Sequence, residues 1–164
     1  MTPLHRALGV YRWHTNPTLG RLHQTTADHS ARMCGLAIDL WGEDVPASLF
    51  RSIILHDAAE YFTGDVPWSA RAAHPGLAKY LFIAESDEAW RNGWPGVSAD
   101  DHPKLQFLDR LEAYLFCCDN DPAQALTAEW AAARAWISNT SAALGIWDRV
   151  AVVLASGVAQ NGTE

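Results

Sequence analysis

Apolar residues recur at intervals of three and four along most of this chain, which is the spacing of one face of an α-helix. The clearest case is the series Leu105, Leu108, Leu111 and Leu115. Alternation of apolar and polar positions, the pattern of a half-buried strand, is scarce. We therefore predict an all-α fold, and the length of 164 residues is that of a single domain, residues 1–164.

Capping and turn residues divide this pattern into separate helices. Prolines and small polar side chains are typical of helix starts, and glycines of helix ends. Asp28 is the predicted cap of the second helix, and Gly42 its predicted end. The predicted helices cover residues 2–10, 28–41, 46–62, 76–91, 103–119, 122–144 and 147–155, with a loop over 11–26, a turn over 63–67 and a loose tail from about residue 158.

An adjacent ionisable pair, His56 and Asp57, interrupts the apolar run of the third predicted helix. Burying such groups costs free energy unless a partner compensates them. A divalent metal is a suitable partner, because neutral imidazole and carboxylate are both metal ligands. On a continuous helix Glu60 would share the face of His56, one turn along. Glu60 is thus a candidate acid or base, with an ordinary exposed helix carboxylate as the alternative.

Two further ionisable side chains lie on apolar faces of other predicted helices. His29 is near the start of one, and Asp109 lies within the apolar stretch 105–115 of another. Taken singly, His29 could be a packed imidazole and Asp109 the partner of an arginine. If the three helices converge, these residues join His56 and Asp57 in a site of two histidines and two carboxylates. Such a set leaves room for water or substrate oxygens on a catalytic metal.

Composition limits which partners and which cellular compartment are expected. A net charge of −7 argues against binding to a nucleic-acid polymer, although a locally basic pocket could still take a small phosphorylated ligand. No apolar run approaches the roughly 20 residues of a membrane helix, so no membrane partner is expected. Cys34, Cys117 and Cys118 cannot all pair, and they are expected to be reduced thiols of a cytoplasmic protein.

Three short motifs accompany the candidate ligands. They are Arg12-Trp13-His14-Thr15, Gln24-Thr25-Thr26-Ala27-Asp28-His29-Ser30, and His56-Asp57-Ala58-Ala59-Glu60-Tyr61-Phe62-Thr63-Gly64-Asp65-Val66-Pro67. Together with Asp109 they resemble the HD-domain metal-dependent phosphohydrolases. The resemblance is closest to the branch of 5′-deoxynucleotidases and phage-type deoxynucleoside triphosphohydrolases, including those that act on dATP. It is specific through about residue 67, resumes at Asp109 and is absent after about residue 120.

The resemblance implies a compact helical HD-domain bundle with its metal between facing helices, and a homo-oligomer, dimer or higher. The expected metal is Zn, Mn, Co, Fe or Mg, all of which accept imidazole and carboxylate ligands. Its implied ligands are His29, His56, Asp57 and Asp109. Glu60 would act on the attacking water or protonate the leaving 5′-oxygen.

The resemblance also implies substrate contacts, several of which have structural alternatives. Arg12 would clamp a phosphate. Trp13 would stack on the base or wall the sugar pocket, or it simply packs. Asp65 would be a second carboxylate near the scissile ester, or it stabilises the turn over 63–67. Pro67 would help to form the wall of the sugar pocket. Three further cationic residues would contact phosphate or are solvated charges, namely Arg71, Lys79 and Lys104.

The implied reaction is hydrolysis of a deoxynucleoside 5′-phosphate at the α-phosphorus. The compact length favours a triphosphohydrolase that releases deoxynucleoside and triphosphate, in the host cytoplasm if the chain is phage-encoded. A 5′-deoxynucleotidase that acts on monophosphates is the first alternative. A non-catalytic domain that binds nucleotide or metal is the second.

Overall fold

The computed structural model describes residues 1–159, and side chains through residue 155. Within those bounds the protein is all-α and contains no strand, as predicted; the extended segments contribute a single antiparallel bridge between Tyr11 and Thr25. None of the helices in this part of the chain is both long and apolar enough to cross a membrane. The helices are α1 (Pro3–Ala7), α2 (Thr26–Trp41), α3 (Ala47–Leu55), α4 (Glu60–Thr63), α5 (Trp68–Ala73), α6 (Pro75–Arg91), α7 (His102–Asn120), α8 (Pro122–Ala125), α9 (Ala128–Ala143) and α10 (Trp147–Ala159).

Helix α7 lies at the centre of the molecule. It packs against α2, α3, α9 and α10, and Phe107, Leu108 and Leu111 on it are completely buried. The apolar residues that the helical repeat predicted for α7 are thus buried against several neighbouring helices. Helix α6 lies apart from this core, because its main contacts are with the short helices α4 and α5.

The prediction of one continuous helix over residues 46–62 is wrong. Helix α3 ends at Leu55, residues 56–59 form turns, and α4 begins at Glu60. Through this segment the backbone N–H groups of residues 58, 60 and 62 donate to carbonyl groups three residues back, not four. The His56 ring also binds the carbonyl oxygen of Ile53, an acceptor that a continuing helix would use. The tighter winding means that His56 and Glu60 do not share a regular helical face.

The start of α2 also differs from its prediction. Thr25, not Asp28, is the N-cap, and its hydroxyl accepts the backbone N–H of Asp28. The Asp28 carboxylate in turn accepts the backbone N–H of Thr25, which completes a capping box. Since the capping residue lies three positions earlier, His29 falls in the second turn of a well-anchored helix.

Three further boundaries depart from the sequence predictions. The helix predicted over 122–144 is two helices, α8 and α9, because Thr127 adopts an extended conformation between them. Helix α5 was not predicted. Helix α10 extends to Ala159, four residues beyond its predicted end, and the rest of the predicted loose tail lies outside the described residues.

Candidate metal centre

The structure brings three of the four predicted metal ligands into one group. His29 comes from α2, and His56 and Asp57 from the turn that follows α3. Each offers one donor atom, and these atoms all lie within 4.8 Å of one another. Asp109, on α7, lies beside the group, with its Oδ1 atom 3.2 Å from His29 Nε2. The four residues therefore meet where α2, α7 and the end of α3 converge.

The donor atoms of this group suit a divalent metal. The Nε2 atoms of His29 and His56 are buried and form no well-aligned hydrogen bond with a protein group. Their nearest carboxylate oxygens are Asp109 Oδ1, 3.2 Å from His29 Nε2, and Asp57 Oδ2, 3.1 Å from His56 Nε2. A buried ring nitrogen without a partner costs free energy, and proteins rarely leave one so. Imidazole nitrogen and carboxylate oxygen are common ligands of zinc and of the other first-row metals. His29, His56 and Asp57 could therefore hold a metal ion.

Both imidazole rings are oriented by their other nitrogen. His56 Nδ1 lies 2.7 Å from the carbonyl oxygen of Ile53, and His29 Nδ1 lies 2.5 Å from Glu112 Oε2. Each acceptor oxygen favours a proton on Nδ1, so the Nε2 atom of each ring points toward the group of candidate metal ligands. Partners of this kind fix the tautomer and the angle of a metal-binding histidine.

Glu112 is a functional residue that the sequence analysis missed. It is completely buried, and besides His29 it accepts hydrogen bonds from Gln24 Nε2 at 2.9 Å and from Arg32 Nε at 2.8 Å. It lies three residues after Asp109 and interrupts the same apolar face of α7. The reasoning applied to Asp109 would have singled out Glu112 as well.

Arg12 lies against the carboxylates of the cluster. Its Nη1 atom donates to Asp57 Oδ2 at 2.8 Å, and its Nη2 atom is 3.9 Å from Asp109 Oδ1. Burial works against the charge of Arg12, but Asp57 and Asp109 outweigh it and raise its pKa. Burial likewise opposes ionisation of Asp57, yet His56 and Arg12 hold its pKa well below the usual range. A cationic group thus adjoins the candidate ligands.

Asp57 also controls the protonation of His56. Burial would lower the pKa of His56, but the neighbouring Asp57 carboxylate dominates and raises it to about 9. A proton on Nε2 and a metal ion therefore compete for the same nitrogen. Metal binding should release a proton near neutral pH.

Glu60 is the least satisfied carboxyl group near the site. It is only 7% exposed, and its Oε2 atom has no hydrogen-bond partner, while Oε1 lies 3.4 Å from Arg71 Nη2. Burial, followed by the nearby carboxylates of Asp57 and Asp65, raises the pKa of Glu60 to about 10. Glu60 therefore carries a proton at neutral pH in this arrangement.

Trp13 and Asp65 contact each other near Arg12. Trp13 adopts a left-handed backbone conformation with a φ of 62°, and Asp65 Oδ2 accepts its backbone N–H at 3.3 Å. The Trp13 ring stacks on Phe116 with centroids 5.9 Å apart, and its Nε1 atom donates to Gln24 Oε1 at 2.6 Å. These contacts favour the packing alternative for Trp13. They also give Asp65 a positioning contact with the segment that carries Arg12.

Arg71 is the only one of the three further cationic candidates that reaches the site among the described residues. It lies in the last turn of α5, the helix that Pro67 precedes, and connects Glu60 to Glu85 of α6, with a distance of 3.1 Å to Glu85 Oε1. Lys79 is exposed on α6. The Lys104 ammonium group lies over the ring of Trp41, 5.9 Å from its centroid.

Comparison with known proteins adds no relative: no family model matches the chain, and none of the curated proteins or solved structures is similar to it. What the protein does must be inferred from its own residues and their arrangement.

Proposed function

We propose that this protein is a metal-dependent phosphohydrolase of the HD-domain type that cuts deoxynucleoside 5′-phosphates at the α-phosphorus. The observation that carries the proposal is the group of His29, His56 and Asp57, whose donor atoms all lie within 4.8 Å of one another and whose two buried Nε2 atoms form no well-aligned hydrogen bond. Asp109 would complete the ligand set. A bound divalent metal would polarise a phosphoryl oxygen and lower the pKa of a bound water.

The donor set supports a catalytic rather than a structural metal. Structural zinc sites are usually built from cysteine, alone or with histidine, and have four protein ligands. No cysteine belongs to the candidate metal group formed by the described residues. Mixed histidine and carboxylate ligands are typical of metals that keep a position for water or substrate.

Arg12 is the proposed phosphate-binding residue. Its guanidinium already adjoins Asp57 and Asp109, and its buried Nε atom has no protein partner. A phosphate oxygen beside the ligand cluster would be within reach of this side chain. Because a guanidinium offers several donors in one plane, it can bind phosphate and carboxylate together.

Glu60 is the proposed proton donor to the leaving group. In the reaction a water oxygen bonds to the α-phosphorus as that water releases a proton, and the bond from the phosphorus to the 5′-oxygen breaks. The 5′-oxygen takes the proton of Glu60, and the proton released by the water restores it. Burial is the main cause that raises the pKa of Glu60, and it favours the protonated carboxyl group, which can supply this proton. Its buried Oε2 atom has no protein hydrogen-bond partner and so keeps an unused position for a bond to the substrate.

We favour a triphosphate substrate, with deoxynucleoside and triphosphate as products, and Arg71 supports this choice. It lies next to Glu60, where a cationic group could bind the phosphates beyond the scissile one. The monophosphate alternative has its own support, because Glu85 and the Val66 carbonyl oxygen already engage the guanidinium of Arg71. Base selectivity would depend on the residues that contact the bound nucleotide.

Turnover by the purified protein decides among these possibilities. Deoxy- and ribonucleoside mono-, di- and triphosphates would each be incubated with Mn²⁺, Co²⁺, Zn²⁺ or Mg²⁺, and the products separated. We expect deoxynucleoside and triphosphate from a dNTP. Turnover of dNMP with intact dNTP would establish the nucleotidase instead, and no turnover with any metal would reduce the protein to a binding domain.

The variant His56→Ala provides the matched test of the metal site. It should bind little metal, because an essential imidazole ligand is lost and the remaining carboxylates repel one another. Metal content by elemental analysis checks this. Full metal occupancy in His56→Ala would refute the proposed ligand set.

A further inference from the structure

Helix α6 exposes a large apolar surface on the side away from the core. Tyr80 is 67% exposed, Ile83 48% and Trp90 82%, whereas Leu81 and Glu88 are the buried residues of this 17-residue helix. A surface helix usually turns its polar face to solvent. Clustered large apolar side chains on a soluble surface are typical of an interaction site.

The exposed residues fall on one face of the helix. At about 100° per residue, Ile83 lies at the middle of this face, with Lys79 and Asp87 roughly 40° to either side of it. Both charged residues are exposed. The ion pairs of α6 in the described part of the chain use Glu85 and Glu88 instead. The face thus offers one cation and one anion at equal distances from an apolar centre.

We propose that α6 is a dimer interface, on which it pairs in antiparallel orientation with α6 of a second copy around a twofold axis at Ile83. Around this axis, a residue that lies a given number of positions after Ile83 faces the partner's residue the same number of positions before Ile83. Every such contact occurs twice, once from each copy. Here Ile83 meets the partner's Ile83. Lys79 then faces the partner's Asp87, and Asp87 faces the partner's Lys79, which gives two reciprocal ion pairs.

The same register matches residue sizes at the ends of the face. Trp90 lies seven residues after Ile83, and Gly76 lies seven before it. Trp90 therefore stands opposite the partner's Gly76, the one position there without a side chain. A β-carbon built on Gly76 meets no atom within 4 Å, so the space above it is open. Tyr80 is likewise opposite the small Ser86 of the partner subunit.

The available apolar area is consistent with a stable contact. The interface would bury on the order of 400 Å² of accessible surface on each copy from the exposed parts of Tyr80, Ile83 and Trp90. This follows because a large aromatic residue buries about 150–250 Å². This is roughly half of the ~800 Å² that each partner contributes to a standard interface. Phe82 is 70% exposed, but it lies about 100° around the helix from Ile83 and so falls outside this face.

A dimer at α6 would also support the proposed site, although the interface does not depend on the reaction. On the other side of this helix, Glu85 binds Arg71, and Arg71 reaches Glu60. Holding α6 in place would hold this connection in place.

Molar mass in solution tests the proposal without any activity measurement. Sedimentation velocity on the full chain over about 1–100 µM should give twice the chain mass of 18.0 kDa. Ile83→Glu should give the mass of one chain, because the two introduced carboxylates would face each other at the twofold axis, in the apolar centre of the interface. Ile38→Glu is the matched control, since Ile38 is 53% exposed on α2 and should leave the dimer intact.

A charge exchange tests the antiparallel register. Lys79→Asp or Asp87→Lys alone places like charges opposite each other and should weaken the dimer at least tenfold at low salt. The double variant Lys79→Asp/Asp87→Lys restores both ion pairs and should return the dissociation constant to within about threefold of the original. Circular dichroism would establish that each variant keeps its helical content.

Three results would overturn the proposal. A wild-type protein of one chain mass at every concentration would mean that this face serves a different partner or none. Equal effects of Ile83→Glu and Ile38→Glu would remove α6 from the interface. Failure of the double charge exchange to restore what the single exchanges lose would exclude the reciprocal pairing of Lys79 and Asp87.

Discussion

Two buried glutamates adjoin the candidate metal centre, and their carboxyl groups differ in how many hydrogen bonds they form. Glu112, on α7, is completely buried, yet hydrogen-bond donors from His29, Gln24 and Arg32 surround its carboxylate. Glu60, at the start of α4, is almost as deeply buried, and one of its oxygens has no partner at all.

The difference separates a supporting role from a chemical one. A buried carboxylate that already accepts three hydrogen bonds, as Glu112 does, holds its neighbours in place and has little capacity left for a substrate. A buried carboxyl group with an unused oxygen and a raised pKa is costly to keep, and such groups cluster at active sites. We therefore assign Glu112 to the orientation of His29 and Glu60 to proton transfer.

The largest expected effect is on hydrolysis by Glu60→Gln. Loss of a positioned proton donor typically lowers the rate by about 10²- to 10⁴-fold. Because Glu60 lies outside the proposed ligand set, the metal content should not change. Initial rates with a dNTP, together with elemental analysis of the same preparation, measure both quantities. A Glu60→Gln protein that loses its metal would place Glu60 among the ligands, and one that retains full activity would remove it from the chemistry.

The next largest effect is expected on stability, from Glu112→Ala. The substitution leaves the donors of His29, Gln24 and Arg32 without their acceptor, and breaking such a buried charged network costs about 3–5 kcal/mol. Metal affinity should also fall by about 10- to 100-fold, because the His29 ring loses its orienting partner. Urea unfolding and a chelator competition measure the two effects.

Glu88→Ala is the control for this prediction. Glu88 is also buried, but it lies on α6 and is bound to Tyr61, Arg91 and Asn92 rather than to the metal centre. Its loss should leave metal affinity unchanged. If Glu112→Ala also bound metal normally, Glu112 would have no part in orienting His29.

The glutamate pair also shows how far sequence patterns reach. Apolar periodicity predicted α2, α6 and α7 closely, because most of their length follows the helical repeat. It also identified His29 and Asp109 as ionisable groups on otherwise apolar faces, and the structure places both beside His56. Glu112 stands in the same pattern, but its role depends on donors from residues 24 and 32, whose proximity only the folded chain creates.

The break between α3 and α4 was not predictable in the same way. The sequence from 46 to 62 has helical periodicity throughout, and no proline or glycine interrupts it. The break depends on backbone bonds to the third preceding carbonyl and on the bond from the His56 ring to the Ile53 carbonyl oxygen. These bonds form within the folded segment, and helical propensity alone does not reveal them.

A smaller effect should appear in the pH dependence of stability in metal-free protein. The pKa of Glu60 is 4.5 in the absence of structure and about 10 in the fold, so the folded state binds one more proton between these values. The free energy of unfolding should therefore fall as pH rises through this window, by up to ~1.4 kcal/mol per pH unit.

Glu60→Gln isolates this contribution, because glutamine does not titrate. His56 also has a raised pKa and loses stability between about pH 6.5 and 9, but it does so in both proteins. The difference in unfolding free energy between wild type and Glu60→Gln, measured at pH 6 and pH 8 in EDTA, should change by more than 1 kcal/mol. Parallel pH profiles would mean that Glu60 is ionised in the fold.

The smallest expected effect comes from Arg32→Ala, and it tests how much Glu112 depends on each of its donors. Arg32 binds Glu112 at 2.8 Å, but its side chain is 44% exposed and also reaches Asp119. Water can replace a donor at such a position, and partly exposed ion pairs contribute less than about 1 kcal/mol. Urea unfolding should therefore show a loss well below that of Glu112→Ala, with metal affinity within about threefold of wild type. A loss as large as that of Glu112→Ala would mean that Arg32, and not the buried pair of His29 and Gln24, holds the Glu112 carboxylate in the core.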